Sequence, residues 1–185
     1  MNKKIICILI IGIVIILAKI IFVNRKSLTK FKSTELLSEE KMFEYISDLW
    51  VEFDEDDIEK YTNQQLVVIS IMAYDGEVNN GGLAQFFSNS SRIFAPTISE
   101  NLEQINAKKH KAHFDKFINQ NKIDINYLDS FMSGDIDEYI EQSEQYPFDE
   151  FDREFYKLEQ TENLYHLMID YAKSNYDEIF IDIKK

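Results

Sequence analysis

Cysteine occurs once in the 185 residues, at Cys7; tryptophan also occurs once, proline twice and glycine five times. A lone cysteine excludes an intrachain disulfide and any metal site built from thiolates. Sandwiches and barrels reverse direction every several residues, so the scarcity of turn formers argues against an all-β fold. Basic residues are short as well: 20 Lys and Arg stand against 33 Asp and Glu, a formal charge of −13. Phosphates demand Lys and Arg, so direct nucleic-acid binding is not expected, and a basic partner suits the chain instead. Apolar material is plentiful, at 45% hydrophobic residues with 14 Phe and 10 Tyr. That is enough for a real core and rules against wholesale disorder. The length fits one domain, or one domain with an appendage.

The appendage is N-terminal. From Ile5 to Val23 the chain is apolar apart from Lys19. A helix over these residues, at about 1.5 Å per residue, nearly spans a hydrocarbon core of roughly 30 Å. Lys3 and Lys4 precede it, Arg25 and Lys26 follow it, and Lys19 is one turn from its end, within snorkelling reach of headgroups. A cleaved signal peptide is the rival, but Phe22-Val23-Asn24 offers no small residues for a cut. The expected organisation is a short basic N-terminus at 1–4, a single-pass membrane anchor at 5–23, a linker at 24–37 and a globular domain at 38–185. The orientation stays open, because the flanking cations favour a cytoplasmic domain while the Lys-rich start resembles an export signal. Removing residues 1–23 takes away Lys3, Lys4 and Lys19 and no acid. The remainder has 17 basic and 33 acidic residues, a net charge of −16.

Beyond the linker, apolar residues recur at helical spacing and no stretch alternates at period two. Ser38 with Glu39 and Glu40 marks a helix start, because a side-chain acceptor and acids suit the positive end of the helix dipole. Thr62 opens a second helix through Leu66, Val67, Ile69, Ile71, Met72 and Tyr74. It is apolar nearly all round and therefore central. Asn79-Asn80-Gly81-Gly82 is expected to stop it. Leu83, Phe86 and Phe87 start a short helix, and Pro96 fits the first turn of another. Phe148, Phe151, Phe155 and Leu158, then Leu164 to Ala172, mark the last amphipathic stripes. The expected fold is all-α, a compact domain of about eight short helices.

Three features carry chemistry. The first is Glu77-Val-Asn-Asn-Gly-Gly82 with Gln85-Phe86-Phe87 and Asn89-Ser90-Ser91, a polar island between apolar runs. Gln85 and Asn89 are four apart, so their amides share a helix face. Glu77, Asn79, Asn80, Gly81, Gly82, Gln85, Phe86, Asn89 and Ser90 are either a ligand site or a structural junction. With no nucleophile or histidine beside them, the junction is expected, its amides bonded to backbone or to Glu77. The second is His110 and His113, three apart, which suits a metal. Lys108, Lys109 and Lys111 oppose a cation, and the pair is expected to lie on the surface of a basic helix. No catalytic residue, metal or cofactor is assigned. The third is charge: seven acids fall in 48–59 and eleven in 135–162. Ile136, Tyr139, Ile140, Phe148, Phe151 and Phe155 are expected to claim the inner side. That would leave Glu138, Glu141, Glu144, Asp149, Glu150 and Asp152 outside as a partner-binding face, with Glu138, Glu141, Asp149 and Asp152 replaceable by amides without harm to folding.

Residues 77–91 closely resemble the signature of a bacterial DNA-mimic family, the nineteen-type, whose domain was formerly of unknown function. Its pattern is E-V-x-N-G-G-x-x-Q-[YF]-[FY]-x-N-S-S, with Asn79 at the variable place. Leu102 to Ala107 looks like the family's helix ending in Gly-Ala, with Asn106 in place of the Gly. Phe148 to Tyr156 and Leu164 to Tyr171 look like its C-terminal helices. The resemblance covers about residues 40–180 and implies an acidic helical protein, without known catalysis, that presents carboxylates where DNA presents phosphates. The expected function is a membrane-anchored, non-enzymatic acidic interaction module. Its partners would be a basic protein of the nucleic-acid-binding kind and, through residues 5–23, the lipid bilayer. Two alternatives are an immunity or antitoxin-like inhibitor of a basic toxin, and a small-ligand or enzymatic site built on the signature motif.

Overall fold

The long apolar run after Thr62 becomes the longest helix, and the other helices pack around it. The computed structural model describes residues 37–131 and 136–181. Helix α1 (Glu39–Val51) opens on Ser38, whose hydroxyl accepts from the Lys41 N–H. A 3₁₀ segment, Glu55–Lys60, follows and is opened by Asp54 accepting from Asp56 N. Helix α2 (Asn63–Ser88) starts with a capping box, in which Thr62 Oγ1 accepts from Gln65 N and Gln65 Oε1 accepts from Thr62 N. After a 3₁₀ turn at Ser90–Phe94 come α3 (Ala95–Gln104), with Pro96 in its first turn, and α4 (Lys108–Asn121). Then follow α5 (Ile136–Gln145), α6 (Phe148–Glu159), α7 (Leu164–Ser174) and the single turn α8 (Tyr176–Ile179). Among the described residues there are eight α-helices and no strand, so the class is all-α.

Helix α2 packs against α1, α3, α6, α7, α8 and the 90–94 turn. Val68, Ile69, Ala73, Tyr74 and Val78 are fully enclosed. Its aromatic end meets those of α4 and α6: the Tyr74 ring stands edge-on to Phe86, Phe114 and Phe155. Phe87 stacks on Phe117 and Phe131. Each buried ring contributes about 1.5–3 kcal/mol relative to exposure, so this cluster holds α2, α4 and α6 together. The C-terminal turn is strapped to the start of α2 by Thr62 Oγ1, which donates to Glu178 O at 2.8 Å, and Gln65 Nε2, which donates to Ile179 O at 2.9 Å. At the α3–α4 corner Asn106 has φ +63°. Asparagine tolerates this left-handed backbone, as the glycine of the resembling family would.

Three expectations are corrected. His110 and His113 are interior residues, 0% and 5% exposed. They fall on the same stripe as Phe114 and Phe117, and the lysines around them point away. Their Nε2 atoms lie 2.9 Å from the carbonyls of Glu162 and Phe151, and their rings pack on Phe155 and Phe151. Ile140, expected inside, is 47% exposed. The glycine pair does not end α2; the helix bends and resumes. The predicted membrane span at 5–23 and the linker up to residue 36 lie outside the described residues. Among those that are described, no helix is long and apolar enough to cross a membrane.

Candidate functional site

The bend in α2 is made by Gly81 (φ −152°, ψ 23°) and Gly82 (φ 77°, ψ −175°). The second of these is a backbone region open essentially to glycine alone. A Cβ at Gly82 would also overlap the Asp152 carboxylate. Breaking a helix strands amides on one side and carbonyls on the other. Helix α6 supplies partners for both. Asp152 Oδ1 accepts from Leu83 N at 2.9 Å, and Tyr156 Oη donates to Val78 O at 3.0 Å. Asp152 and Tyr156 are four residues apart, so they share one face of α6 and grip the bend together.

The polar residues of the motif close over the outer side of the bend. Glu77 Oε2 accepts from Gln85 Nε2 at 2.6 Å and from Asn89 Nδ2 at 2.8 Å, while Oε1 accepts from Ser91 Oγ at 2.9 Å. One carboxylate therefore ties the helix before the glycines to the helix and turn after them. Ser91 makes the third tie and is buried, whereas Ser90, singled out in the sequence, is exposed. Asn79 reaches back one turn and donates to Asp75, to the backbone oxygen at 2.9 Å and to Oδ1 at 2.6 Å. Asn80 is exposed and Phe86 is fully buried in the aromatic cluster. Burial pushes the Asp75 carboxyl up to about 6, helped by the nearby Glu159 and opposed by His110 and the Asn79 bond. Burial also raises Asp152, against the pull of the Leu83 bond, and raises the enclosed Tyr74 phenol. Among the described residues no group of three or more His, Cys, Asp and Glu could hold a metal ion.

The acidic face divides in two. Glu141, Glu144, Asp149 and Glu150 are exposed. The Glu138 side chain lies outside the described residues. Asp152 does not belong to the outer surface, because it is half-buried at the bend. Three more acids are likewise held. Glu154 pairs with Lys116 at 3.0 Å. Glu159 accepts from Leu164 N, at the start of α7, and lies 3.0 Å from His110 Nε2. Glu162 Oε1 accepts from Lys109 N and His110 N, at the start of α4. Orphan amides and the positive end of the dipole favour a carboxylate at a helix start. Of the eight acids in this run whose side chains are described, four thus bond within the fold. The second acid-rich stretch is wholly on the surface: Asp48, Glu52, Asp54, Glu55, Asp56, Asp57 and Glu59 are all exposed.

These features define an acidic, all-helical domain whose central helix is bent at a glycine pair and locked by one glutamate and one aspartate. The model of the DMP19-like protein family matches residues 59–175, which include the bend, both of its locks and helices α2 to α7. The chain belongs to that family. No curated protein and no solved structure matches it.

Proposed function

We propose that the chain is a non-enzymatic acidic module that covers the basic surface of a DNA-binding protein, its exposed carboxylates standing where phosphates would. Family membership supplies the class of partner. Glu141, Glu144, Asp149 and Glu150, free of the fold's internal bonds in the described structure, supply the charge. The observation that carries the choice over a ligand site is the state of the motif: both Glu77 oxygens are occupied by Gln85, Asn89 and Ser91. A recognition site keeps convergent polar groups open to its ligand, and this one closes them on each other. The immunity-type alternative uses the same carboxylates, and no separate feature of the fold favours it.

The module is membrane-attached in this proposal, through the apolar run 5–23. The exposed carboxylates would steer a cationic partner at long range, with attraction screened beyond about 10 Å at 0.1 M salt. Capture from bacterial lysate on the full chain, with bound proteins identified by mass spectrometry, tests the assignment. DNA-binding proteins should be retained at low salt and released by added duplex DNA. A quadruple variant, E141Q/E144Q/D149N/E150Q, should retain far less. Equal capture by the variant would contradict the proposal.

A further inference from the structure

A second surface adjoins the locked motif at Ser90 and Ser91, where the end of α1 and the 3₁₀ segment 55–60 face the 90–94 turn and α3. Three adjoining depressions of about 380, 410 and 390 Å³ meet there, and Ile93 lines all three. Phe53 and Phe94 line two, and Trp50, Val51, Ile58 and Leu66 complete the apolar walls. Val51, Ile58 and Ile93 are 76%, 46% and 41% exposed, three of the larger apolar side chains that the described fold leaves in water. Isolated exposed apolar residues need no explanation, but several lining one groove mark an interaction surface.

Acids outnumber bases along the groove, where Asp54, Glu55 and Glu100 stand against Arg92. Asp48, Glu52, Asp56, Asp57 and Glu59, on the same stretch of chain as Asp54 and Glu55, are exposed as well. Two cations are close: Lys60 pairs with Asp57, and Arg92, whose Nη1 donates to the carbonyls of Ser88 and Asn89, keeps its charge. An acidic rim repels anionic lipid headgroups and attracts Lys and Arg. The described fold has no sheet edge to which an extended peptide could add, whereas an amphipathic helix matches the groove, because its apolar anchors at i, i+3 or i+4, and i+7 meet apolar walls while Lys and Arg between them reach the acids.

We infer that this groove docks a basic amphipathic helix of a partner protein, its apolar face on Ile58, Ile93 and Phe53 and its Lys and Arg against the 48–59 carboxylates. This goes beyond the acidic face of α5 and α6, since it uses other residues and needs apolar contact as well as charge.

Trp50 is the chain's only tryptophan, and it lines the groove half-buried, so its fluorescence reports occupancy. The probe is a synthetic, Trp-free peptide of about 14 residues, or four helical turns, with Leu on one helical face and Lys elsewhere. Titrated into the full chain, it should shift Trp50 emission saturably. A peptide of the same composition, with the Leu residues scattered around the helix, should bind about tenfold more weakly. Ile58→Ser and Ile93→Ser should each weaken binding by a similar factor. Both side chains are substantially exposed, so the helical circular dichroism should stay unchanged. The E141Q/E144Q/D149N/E150Q variant should bind the peptide as the parent does. No Trp50 response to the peptide overturns the inference. So does equal binding of the scattered peptide or by the Ile variants, which would mean charge alone and leave the acidic-module proposal standing. A Trp50 shift with protein concentration in the absence of peptide would assign the groove to a second copy of the chain, and also overturns it. Loss of lysate capture alone, with peptide binding intact, would count against the proposed function and not against the groove.

Discussion

Removing the Glu77 carboxylate should unlock the bend. In Glu77→Ala, Gln85 Nε2, Asn89 Nδ2 and Ser91 Oγ all lose their acceptor at once. A hydrogen bond to a charged group contributes about 1.5–3 kcal/mol, and a donor left buried without a partner costs about 1–3 kcal/mol. Asn89 is exposed and regains water, whereas Ser91 is buried and Gln85 half-buried. The three bonds should therefore not sum, and a loss of about 3 kcal/mol is expected. For a domain of about 150 residues, 1 kcal/mol lowers Tm by roughly 2–4 °C, so the drop should be roughly 6–12 °C. Glu77→Gln keeps an acceptor oxygen for the amides and should lose about 1 kcal/mol. Urea denaturation followed by circular dichroism measures both. A Glu77→Ala loss below about 0.5 kcal/mol, the size of an ordinary surface substitution, would refute the lock. If capture were lost while stability held, the motif would be a binding site after all.

Gly82→Ala should destabilise by about 2 kcal/mol or more in the same urea assay, because the positive φ and the Asp152 carboxylate both oppose a side chain; a neutral result would mean that the bend is not held in this form. Asp152→Ala strands the Leu83 amide and should lose about 1–2 kcal/mol, as for a lost helix cap, while Asp149→Ala, which removes only a first-turn charge from the same helix, should lose about 0.5 kcal/mol. Asp75 titrates near 6 in the fold against 3.8 unfolded, so the folded state holds its proton more tightly and this group's contribution falls as pH rises from about 4 to 6. Asp75→Asn keeps an acceptor for Asn79 and should stabilise by about 1–3 kcal/mol at pH 7.5, with little change at pH 4. Burial lowers the His113 pKa, which costs stability as pH falls below 6.5, so the informative quantity is the difference between variant and parent at each pH. Carbonate extraction should leave the full-length chain in the membrane fraction; release of a shortened soluble form would remove the anchor at 5–23.

Local signals in the sequence carried much of the fold. Ser38 and Thr62 sit at helix starts because a side-chain acceptor fits there, and the residues after Thr62 are apolar on all sides because that helix is central. Gln85 and Asn89 share a face with Glu77 in reach, as their spacing implies. What the pattern could not give was the role of residues far apart in the chain. Asp152 is 69 positions from the amide that it caps, and Tyr156 is 78 from its carbonyl. Both look like ordinary members of an amphipathic helix until α6 is set against α2. Glu162 resembles any surface acid, yet it caps α4 from 52 and 53 residues away. The histidines were within reach: His110, His113, Phe114 and Phe117 form an i, i+3, i+4, i+7 stripe, and the flanking lysines masked it. Asn and Gly commonly end helices, so the glycine pair signals a stop, but a carboxylate poised at Leu83 lets the helix restart at once.

Whether the exposed carboxylates occupy a DNA-binding surface is tested most directly by a three-component competition. A DNA-binding protein captured by the full chain is bound to labelled duplex DNA, and the chain is then titrated in while anisotropy is followed. Displacement of the DNA, with an affinity that falls steeply as salt rises and that E141Q/E144Q/D149N/E150Q largely loses, is the predicted result. A ternary complex with the DNA still bound, or displacement equally strong with the four charges removed, would contradict it.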